Sequence, residues 1–242
     1  MPGHSDATGR PRWAPRRITA AALLRGRFTG LTVILLVLLL SGTLVGEHRL
    51  REVIVAFAFS VFSLFAIMAV GRRLRVAVIV LAIPTVASHW TLQLSQSVAF
   101  RALGFTLVSS FLVFVTFIIL ITVFRDETVT ADTIVGSICA YLLLAISWGS
   151  WYTLLVLLSP DAFSVSPGLV AAAGWHAPQS VFMPLMEYYS FTTLTTLGYG
   201  DITPITAGAR LLSVLEGITG QLYLAILIAR LVGMHSARLM KE

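Results

Sequence analysis

Long apolar stretches separated by short polar segments dominate the chain from residue 30 onward. A helix needs about 20 mostly apolar residues to cross roughly 30 Å of hydrocarbon, and six stretches reach or approach this length. Their approximate limits are Leu31–Val45, Val53–Val70, Val76–Leu92, Leu103–Phe124, Ile134–Leu158 and Gly208–Val232. The pattern predicts an all-α membrane protein with six transmembrane helices.

The segment between the last two apolar stretches has a different pattern. A turn-rich stretch, Ser159 to Pro178, precedes VFMPLMEYYSFTTLTTLGYGDITP, which is too polar and too marked by glycine to span a membrane. Pro184 suits the first turn of a short helix that runs to about Thr195. The predicted order is helix, outer loop, half-helix, glycine-containing loop and helix. Such a re-entrant loop is tolerated at membrane depth only where protein buries it or where it lines a water-filled cavity.

Composition supports the membrane interpretation and changes the meaning of the charge. Of the 242 residues, 57% are hydrophobic and 12% are charged, with a mean hydropathy of +0.89, outside the range of soluble domains. The net charge of +6 raises the possibility of nucleic acid binding. The basic residues flank apolar stretches, however, where anionic lipid headgroups are the nearer partner. We therefore expect membrane lipids and no nucleic acid as partners.

The positions of the arginines predict the orientation, because short cytoplasmic loops collect Lys and Arg. Basic residues concentrate before the first stretch, between the second and third stretches, and at the C-terminus. These residues are Arg10, Arg12, Arg16, Arg17, Arg25, Arg27, Arg72, Arg73, Arg75, Arg238 and Lys241. Six spans then place both termini in the cytoplasm, and a retained first helix is favoured over a cleaved signal peptide. We expect a multi-pass protein of the plasma (cell inner) membrane.

The chemistry of the polar residues argues against an enzyme. Cys139 is the single cysteine, which excludes a disulfide within the chain and a cysteine metal site. Glu187 and Glu216 lack the paired geometry that hydrolysis needs. Four of the five histidines are scattered through termini and loops. Those histidines are His4, His48, His176 and His235. We expect no catalytic residues and no cofactor.

Glycine alternates with other residues in the loop from Thr196 to Gly200, TLGYG. In an extended strand successive carbonyls point to opposite sides. Aiming all of them one way requires left-handed backbone angles at alternate residues, which glycine adopts readily. The loop is thus able to present a row of carbonyls, with the side chains of Leu197 and Tyr199 packed behind it. A dehydrated monovalent cation needs several such rows around an axis, and four copies of the chain would complete each cage.

At these residues the chain resembles a known family. TTLGYGD is similar to the potassium-channel selectivity filter, and the chain from the fifth apolar stretch onward resembles the pore domain of that family, with outer helix, pore helix, filter and inner helix. The resemblance implies a homotetramer whose filter, completed by Gly200, binds the permeant K⁺. The implied ligands are the carbonyls of Thr196, Leu197, Gly198 and Tyr199 and the Thr196 hydroxyl. The small size resembles a bacterial member.

The resemblance also implies residues that support the filter. Tyr188 and Tyr189 fall where the family has an aromatic pair behind the filter, and Asp201 lies just outside it. Thr192 and Thr195 are the pore-helix residues expected to support it. Two departures matter. Leu197 replaces the usual valine or isoleucine, and Thr192 replaces a glutamate found in some relatives, so a carboxyl bond from there to Asp201 is absent.

Two glycines and two acids keep alternative interpretations. Gly220 matches the inner-helix glycine regarded as a gating hinge, and Gly217 could share that role, or both could permit close helix packing. Glu216 either hydrogen-bonds to the pore helix or a neighbouring subunit, or faces the ion path as a modulatory charge. Glu187 either caps the pore helix or pairs with Arg210, or attracts cations at the surface.

The first four stretches resemble voltage-gated channels only in layout. No Arg or Lys lies between Leu103 and Phe124, whereas a voltage sensor needs several charges, each worth about 2.3 kcal/mol per 100 mV. We expect a peripheral bundle. The alternative is a sensor of lipid, tension or pH, with His89 as its titratable candidate. The chain after residue 232 predicts no cytosolic regulatory domain.

These predictions combine into one organisation. Residues 1–29 are a basic cytoplasmic segment, 30–125 a four-helix peripheral transmembrane domain, 126–235 the pore domain, and 236–242 a short cytoplasmic tail. The predicted function is passive, K⁺-selective conduction that is not gated by a charged fourth helix. A cation transporter and a nonconducting auxiliary or scaffold subunit are the alternatives.

Overall fold

The computed structural model describes residues 26, 28–44, 48–91, 97–125, 130–172 and 182–239. The basic segment up to residue 25, Arg27 and residues 173–181 of the predicted outer loop lie outside the described residues. The side chains of His48, His89 and His235 also lie outside them. The interpretation of His89 as a titratable sensor therefore stays a prediction.

Eight α-helices and two short strands form the described part of the chain. The helices are α1 (Thr29–Leu44), α2 (His48–Ala69), α3 (Arg72–Thr91), α4 (Val98–Arg125), α5 (Ala131–Leu158), α6 (Pro167–Ala172), α7 (Phe182–Leu194) and α8 (Ala207–Leu239). A 3₁₀ turn, Pro160–Ala162, leads into strand β1 (Phe163–Val165), and β2 (Ile202–Pro204) follows the glycine loop. Each predicted apolar stretch is helical where it is described, except at Val70, which follows the end of α2.

Among the described residues, three helices are long and apolar enough to cross a membrane, namely α4, α5 and residues Ala207–Met234 of α8. The apolar parts of α1, α2 and α3 are Thr29–Leu40, Val53–Ala69 and Leu74–Ser88, each of 10–17 residues. The apolar parts of these three helices are shorter than the 18 residues taken as the minimum for a membrane span. The count of six transmembrane helices therefore stays a prediction.

Polar side chains within the apolar helices bond to their own backbone. The hydroxyl of Ser63 donates to the Phe59 carbonyl at 2.9 Å, and that of Thr116 donates to the Leu112 carbonyl at 2.7 Å. Since hydrocarbon offers no water, such bonds satisfy hydroxyls that would otherwise be costly to bury. Serine and threonine therefore do not interrupt these helices.

The first four helices and α5 share one hydrophobic core. Phe59 and Phe62 of α2 contact Phe111 of α4, with ring centroids 6.0 and 6.3 Å from that of Phe111. Ser109 of α4 and Ser150 of α5 are joined by a buried hydrogen bond of 2.7 Å. Helix α5 begins at Ala131, after a Thr130 side chain that accepts from the Thr133 N–H. The bundle is thereby packed directly on α5.

The outer loop and the segment after the glycine loop form a small sheet that the sequence did not predict. β1 pairs antiparallel with β2 in the register Phe163 to Pro204, Ser164 to Thr203 and Val165 to Ile202. Two backbone bonds extend the pairing, from Ser166 N–H to the Asp201 carbonyl at 2.8 Å and from Ile205 N–H to the Ala162 carbonyl at 2.8 Å. The sheet covers a second hydrophobic cluster, which includes Tyr152 and Tyr189.

Helix α8 has few contacts within the chain. In its most apolar window 17% of residues are buried, against 50% in α4 and 56% in α5. Large apolar side chains including Leu211, Val214, Leu222 and Ile226 are exposed along it. In a single chain this helix therefore presents an apolar surface on most sides.

Candidate functional site

Helix α7 is the half-helix predicted before the glycine loop. Its 13 residues rise about 20 Å at 1.5 Å per residue, which is less than the hydrocarbon thickness. Pro184 lies in its first turn, as predicted. The helix packs on α5 so closely that a Cβ added at Gly149 would lie 2.9 Å from the Cα of Glu187.

The carbonyl of Thr192 closes the turn between α7 and the glycine loop. It accepts the N–H groups of Leu197 at 2.9 Å and Gly198 at 3.1 Å, and the Thr196 N–H donates to the Thr193 carbonyl at 3.0 Å. The Thr195 hydroxyl donates to the Phe191 carbonyl at 2.6 Å. Carbonyls left free at the end of α7 are thereby paired.

Left-handed backbone angles occur at alternate residues of the loop. The φ values are 60° at Thr196, 54° at Gly198 and 77° at Gly200. Thr196 is the one non-glycine residue with positive φ in the described part of the chain, and such angles concentrate at functional sites. The alternation predicted from the two glycines is present, and it extends by one step to Thr196.

The C-terminal end of the loop is attached to α7 by Tyr188. The Tyr188 hydroxyl donates to Asp201 Oδ2 at 2.6 Å, and Asp201 Oδ1 accepts the Ile202 N–H at 3.0 Å. The Tyr199 ring stacks on the Tyr188 ring, with centroids 6.5 Å apart and an interplanar angle of 8°. Tyr188 thus supplies a bond to Asp201, which Thr192 lacks a carboxyl to make.

Tyr189 attaches α7 to α8. Its hydroxyl and that of Ser213 share a hydrogen bond of 2.6 Å. Its ring packs edge-on against Tyr152 and Phe163, at centroid distances of 5.1 and 5.0 Å. The two tyrosines predicted to support the loop therefore point to different partners, one toward Asp201 and one toward the inner helix.

Glu216 is fully buried, with 0% of its surface exposed. The Tyr152 hydroxyl of α5 donates to its Oε2 at 2.7 Å, and the Ser190 hydroxyl of α7 contacts its Oε1. This agrees with the interpretation in which Glu216 hydrogen-bonds to the pore helix. It does not agree with a charge that faces the ion path.

Glu187 and Arg210 do not pair. Glu187 lies in the middle of α7 beside Gly149, whereas the Arg210 Nε donates to the Pro204 carbonyl at 3.2 Å. Among the described side chains no ion pair joins them. The suggestion that Arg210 is the partner of Glu187 is therefore not what the structure contains.

The two glycines of α8 differ in their surroundings. A Cβ at Gly220 would lie 2.5 Å from the Leu194 carbonyl oxygen, at the end of α7, whereas a Cβ at Gly217 would meet nothing within 4 Å. Gly220 therefore permits close packing of α8 against α7. The hinge role of both residues stays a prediction.

Three partner residues of this region were missed from the sequence, namely Tyr152, Ser190 and Ser213. One signal was available, since a buried carboxylic acid such as Glu216 requires hydrogen-bond partners. Sequence spacing within α8 does not reveal which residues of α5 and α7 supply them, because those contacts are tertiary.

The far end of α8 touches the peripheral bundle. The Arg230 guanidinium donates from Nη1 to the Val123 carbonyl and lies 5.4 Å from the ring centroid of Phe124. About two helical turns before Arg230, the Tyr223 hydroxyl donates to the Ser137 carbonyl of α5 at 2.6 Å. Helix α8 is thus bonded to both α4 and α5 near this end.

Comparison with known protein families finds a match in the part of the chain that contains the glycine loop. Residues 138–236 match a family model described as an ion channel, Ion_trans_2. No curated protein and no solved structure gives a match to the chain. The matched residues include most of α5, all of α7, the glycine loop and nearly all of α8. The match supports the resemblance found in TTLGYGD, and residues 138–236 of the chain carry an ion-channel domain.

Proposed function

We propose that the protein is a homotetrameric, K⁺-selective channel that conducts passively through the filter Thr196–Gly200. The observation that carries the proposal is the alternation of left-handed angles at Thr196, Gly198 and Gly200. This alternation is the backbone geometry that a one-sided row of carbonyls requires. It follows a half-helix whose C-terminal dipole favours a cation.

The exposed surfaces of the single chain support assembly. Helix α8 is buried along little of its length, and the apolar side chains of Leu197 and Tyr199 are 59% and 67% exposed. One chain supplies one row of carbonyls, and closed rotational symmetry brings the rows together. Four chains around one axis would bury these surfaces and complete each ion cage.

Conduction then needs little chemistry from the protein. Rings of carbonyls from Thr196, Leu197, Gly198 and Tyr199 replace the hydration shell of K⁺, and the Thr196 hydroxyl adds the innermost ligands. Several adjacent sites let an entering ion displace the next, so binding is strong enough for entry and weak enough for exit. Asp201 would stand at the outer mouth.

The remaining parts have supporting roles in the proposal. Residues 126–235 form the pore domain, 30–125 a peripheral domain, and 1–29 and 236–242 cytoplasmic ends in a plasma membrane protein. Gly217 is the inner-helix residue with room to bend, and Gly220 holds α8 against α7. With no charged residue between Leu103 and Phe124, helix α4 does not act as a voltage sensor.

Reconstitution into liposomes tests the proposal. Vesicles loaded with K⁺ should reach the K⁺ Nernst potential, with little flux of Na⁺. The variant Gly198→Ala places a Cβ at φ +54°, which costs roughly 1–2 kcal/mol per chain, and should abolish K⁺ flux or selectivity. Gly208→Ala is the matched control, because its added Cβ meets nothing within 4 Å and its backbone is helical. It should conduct like the parent.

Three results would contradict the channel. Uptake that depends on a second ion gradient would indicate a cation transporter. Absence of flux from a folded, assembled protein would indicate a nonconducting subunit. Unchanged K⁺ selectivity in Gly198→Ala would remove the filter assignment.

A further inference from the structure

The Ser190 hydroxyl lies between two acceptors. Its Oγ is 2.7 Å from the Ala145 carbonyl oxygen of α5 and contacts Glu216 Oε1 of α8. The other carboxyl oxygen, Oε2, is 2.7 Å from the Tyr152 hydroxyl. One carboxyl and two hydroxyls therefore join α5, α7 and α8 in a buried cluster.

The number of protons in this cluster depends on the state of Glu216. A serine hydroxyl has one proton, and a carbonyl oxygen or an ionised carboxylate has none to donate. If Glu216 is ionised, Ser190 can satisfy either Ala145 or Glu216, and the other contact brings two oxygens together without a proton. If Glu216 is the neutral acid, its O–H donates to Ser190, which donates to Ala145. Tyr152 then donates to Oε2, and every contact holds a proton.

The surroundings favour the neutral acid for a second reason. Glu216 has no exposed surface, and a carboxylate in a hydrocarbon-embedded domain is costly without a cation. The titratable groups that face it are phenols, Tyr141 and Tyr152 of α5 and Tyr189 of α7. In the described part of the chain no Lys or Arg contacts it.

We propose that Glu216 is held as the neutral carboxylic acid and acts as a positioning residue for the filter. The hydrogen-bond chain from Glu216 through Ser190 to Ala145, together with Tyr152, fixes α7 between α5 and α8. Since the Thr192 carbonyl of α7 holds the N–H groups of Leu197 and Gly198, a shift of α7 moves the filter. The consequence for ion flux rests on the proposed function, and the protonation of Glu216 does not.

Infrared spectroscopy of the purified, full-length protein tests the protonation directly. A neutral carboxyl has a C=O stretching band that an ionised carboxylate lacks. The difference spectrum between the parent and Glu216→Gln at neutral pH should show one such band, lost in the variant and shifted in D₂O. Glu187→Gln is the control, because its difference spectrum should leave the Glu216 band in place. A difference spectrum that shows only loss of carboxylate bands would overturn the proposal.

Flux and assembly test the positioning role. In Glu216→Gln the amide NH₂ can donate to Ser190 while the amide oxygen accepts from Tyr152, so tetramer stability and K⁺ flux should stay within about twofold of the parent. Ser190→Ala interrupts the hydrogen-bond chain from Glu216 to Ala145 and leaves the filter residues unchanged. Its K⁺ flux should decay about tenfold faster, the factor that one lost buried hydrogen bond provides, while the tetramer still forms.

The outcomes separate the two proposals. Parent-like flux decay in Ser190→Ala would overturn the positioning role. Glu216→Gln that loses flux while staying assembled would overturn the neutral-acid geometry. A parent protein without K⁺ flux would refute the channel instead, and the infrared band together with the thermal stability of the Glu216 and Ser190 variants would still decide the state and structural effect of Glu216.

Discussion

The Tyr188 hydroxyl donates a 2.6 Å hydrogen bond to Asp201 Oδ2, which joins α7 to the residue that follows the glycine loop. Hydrogen bonds to a charged group are worth about 1.5–3 kcal/mol, so this bond is a substantial part of what holds the loop. We expect Tyr188→Phe to keep K⁺ selectivity but to shorten the time for which flux is sustained, by about tenfold or more. Single-channel recording or timed flux in liposomes measures this.

A double-mutant cycle shows whether Asp201 is the partner that matters. Tyr188→Phe and Asp201→Asn should be strongly non-additive in the rate of flux decay, because both weaken one bond. Tyr189→Phe is the matched control, since its hydroxyl bonds to Ser213, and with Asp201→Asn it should be additive. Equal coupling in both cycles would contradict the assignment.

The second prediction concerns the two glycines of α8. In Gly220→Ala the new methyl group would lie 2.5 Å from the Leu194 carbonyl oxygen, and overpacking of this kind costs about 1–3 kcal/mol. We expect a lower midpoint of thermal unfolding for the purified protein. Gly217→Ala should leave the midpoint near that of the parent, because its methyl group meets nothing within 4 Å in the chain. If the midpoint falls equally in both variants, Gly217 packs against a neighbouring subunit.

The third prediction concerns Arg230, which links α8 to the end of α4. The last carbonyls of a helix have no partner within it, and Arg230 supplies one to Val123. Arg230→Met should therefore destabilise the protein by about 1.5–3 kcal/mol, measured by thermal unfolding. Arg210→Met is the control on the same helix, because its bond to the Pro204 carbonyl is exposed. If both variants unfold at nearly the same temperature as the parent, the link between α8 and α4 contributes no stability.

The fourth prediction concerns voltage. Steep gating requires several charges per subunit moving through the field, and α4 has none between Leu103 and Phe124. In planar bilayers, open probability between about −100 and +100 mV should depend on voltage more weakly than about one gating charge per tetramer predicts. A dependence equivalent to several charges would show that another part of the chain acts as a sensor.

The helices and the backbone of the glycine loop were predictable from sequence because both depend on local rules. Apolar length predicts a helix in the membrane, and alternate glycines in the TLGYG loop predict alternate left-handed angles. Thr196 departs from the local rule. A threonine gains nothing from positive φ by itself, so the surrounding turn on the Thr192 carbonyl must impose it.

The tertiary contacts could not be predicted in the same way. The sheet between β1 and β2 has three residues in each strand, too few for a periodic signal, and its partners are separated by the whole of α7. The contacts of Glu216 with Tyr152 and Ser190 likewise depend on how three helices lie together. For Gly220 the sequence left hinge and packing open, and the close approach of Leu194, which depends on how α7 and α8 lie together, was not predictable from α8 alone.

The pairing of β1 with β2 has a mechanical consequence for the proposed ion path. The N-terminal end of the glycine loop is bonded to α7 through the Thr192 carbonyl, and its C-terminal end runs directly into β2 after Asp201. In the proposed channel, a segment fixed at both ends has a set length and cannot slide along the ion path. When the bound ion changes, the loop can then respond only by rotation of individual peptide planes between its two fixed ends.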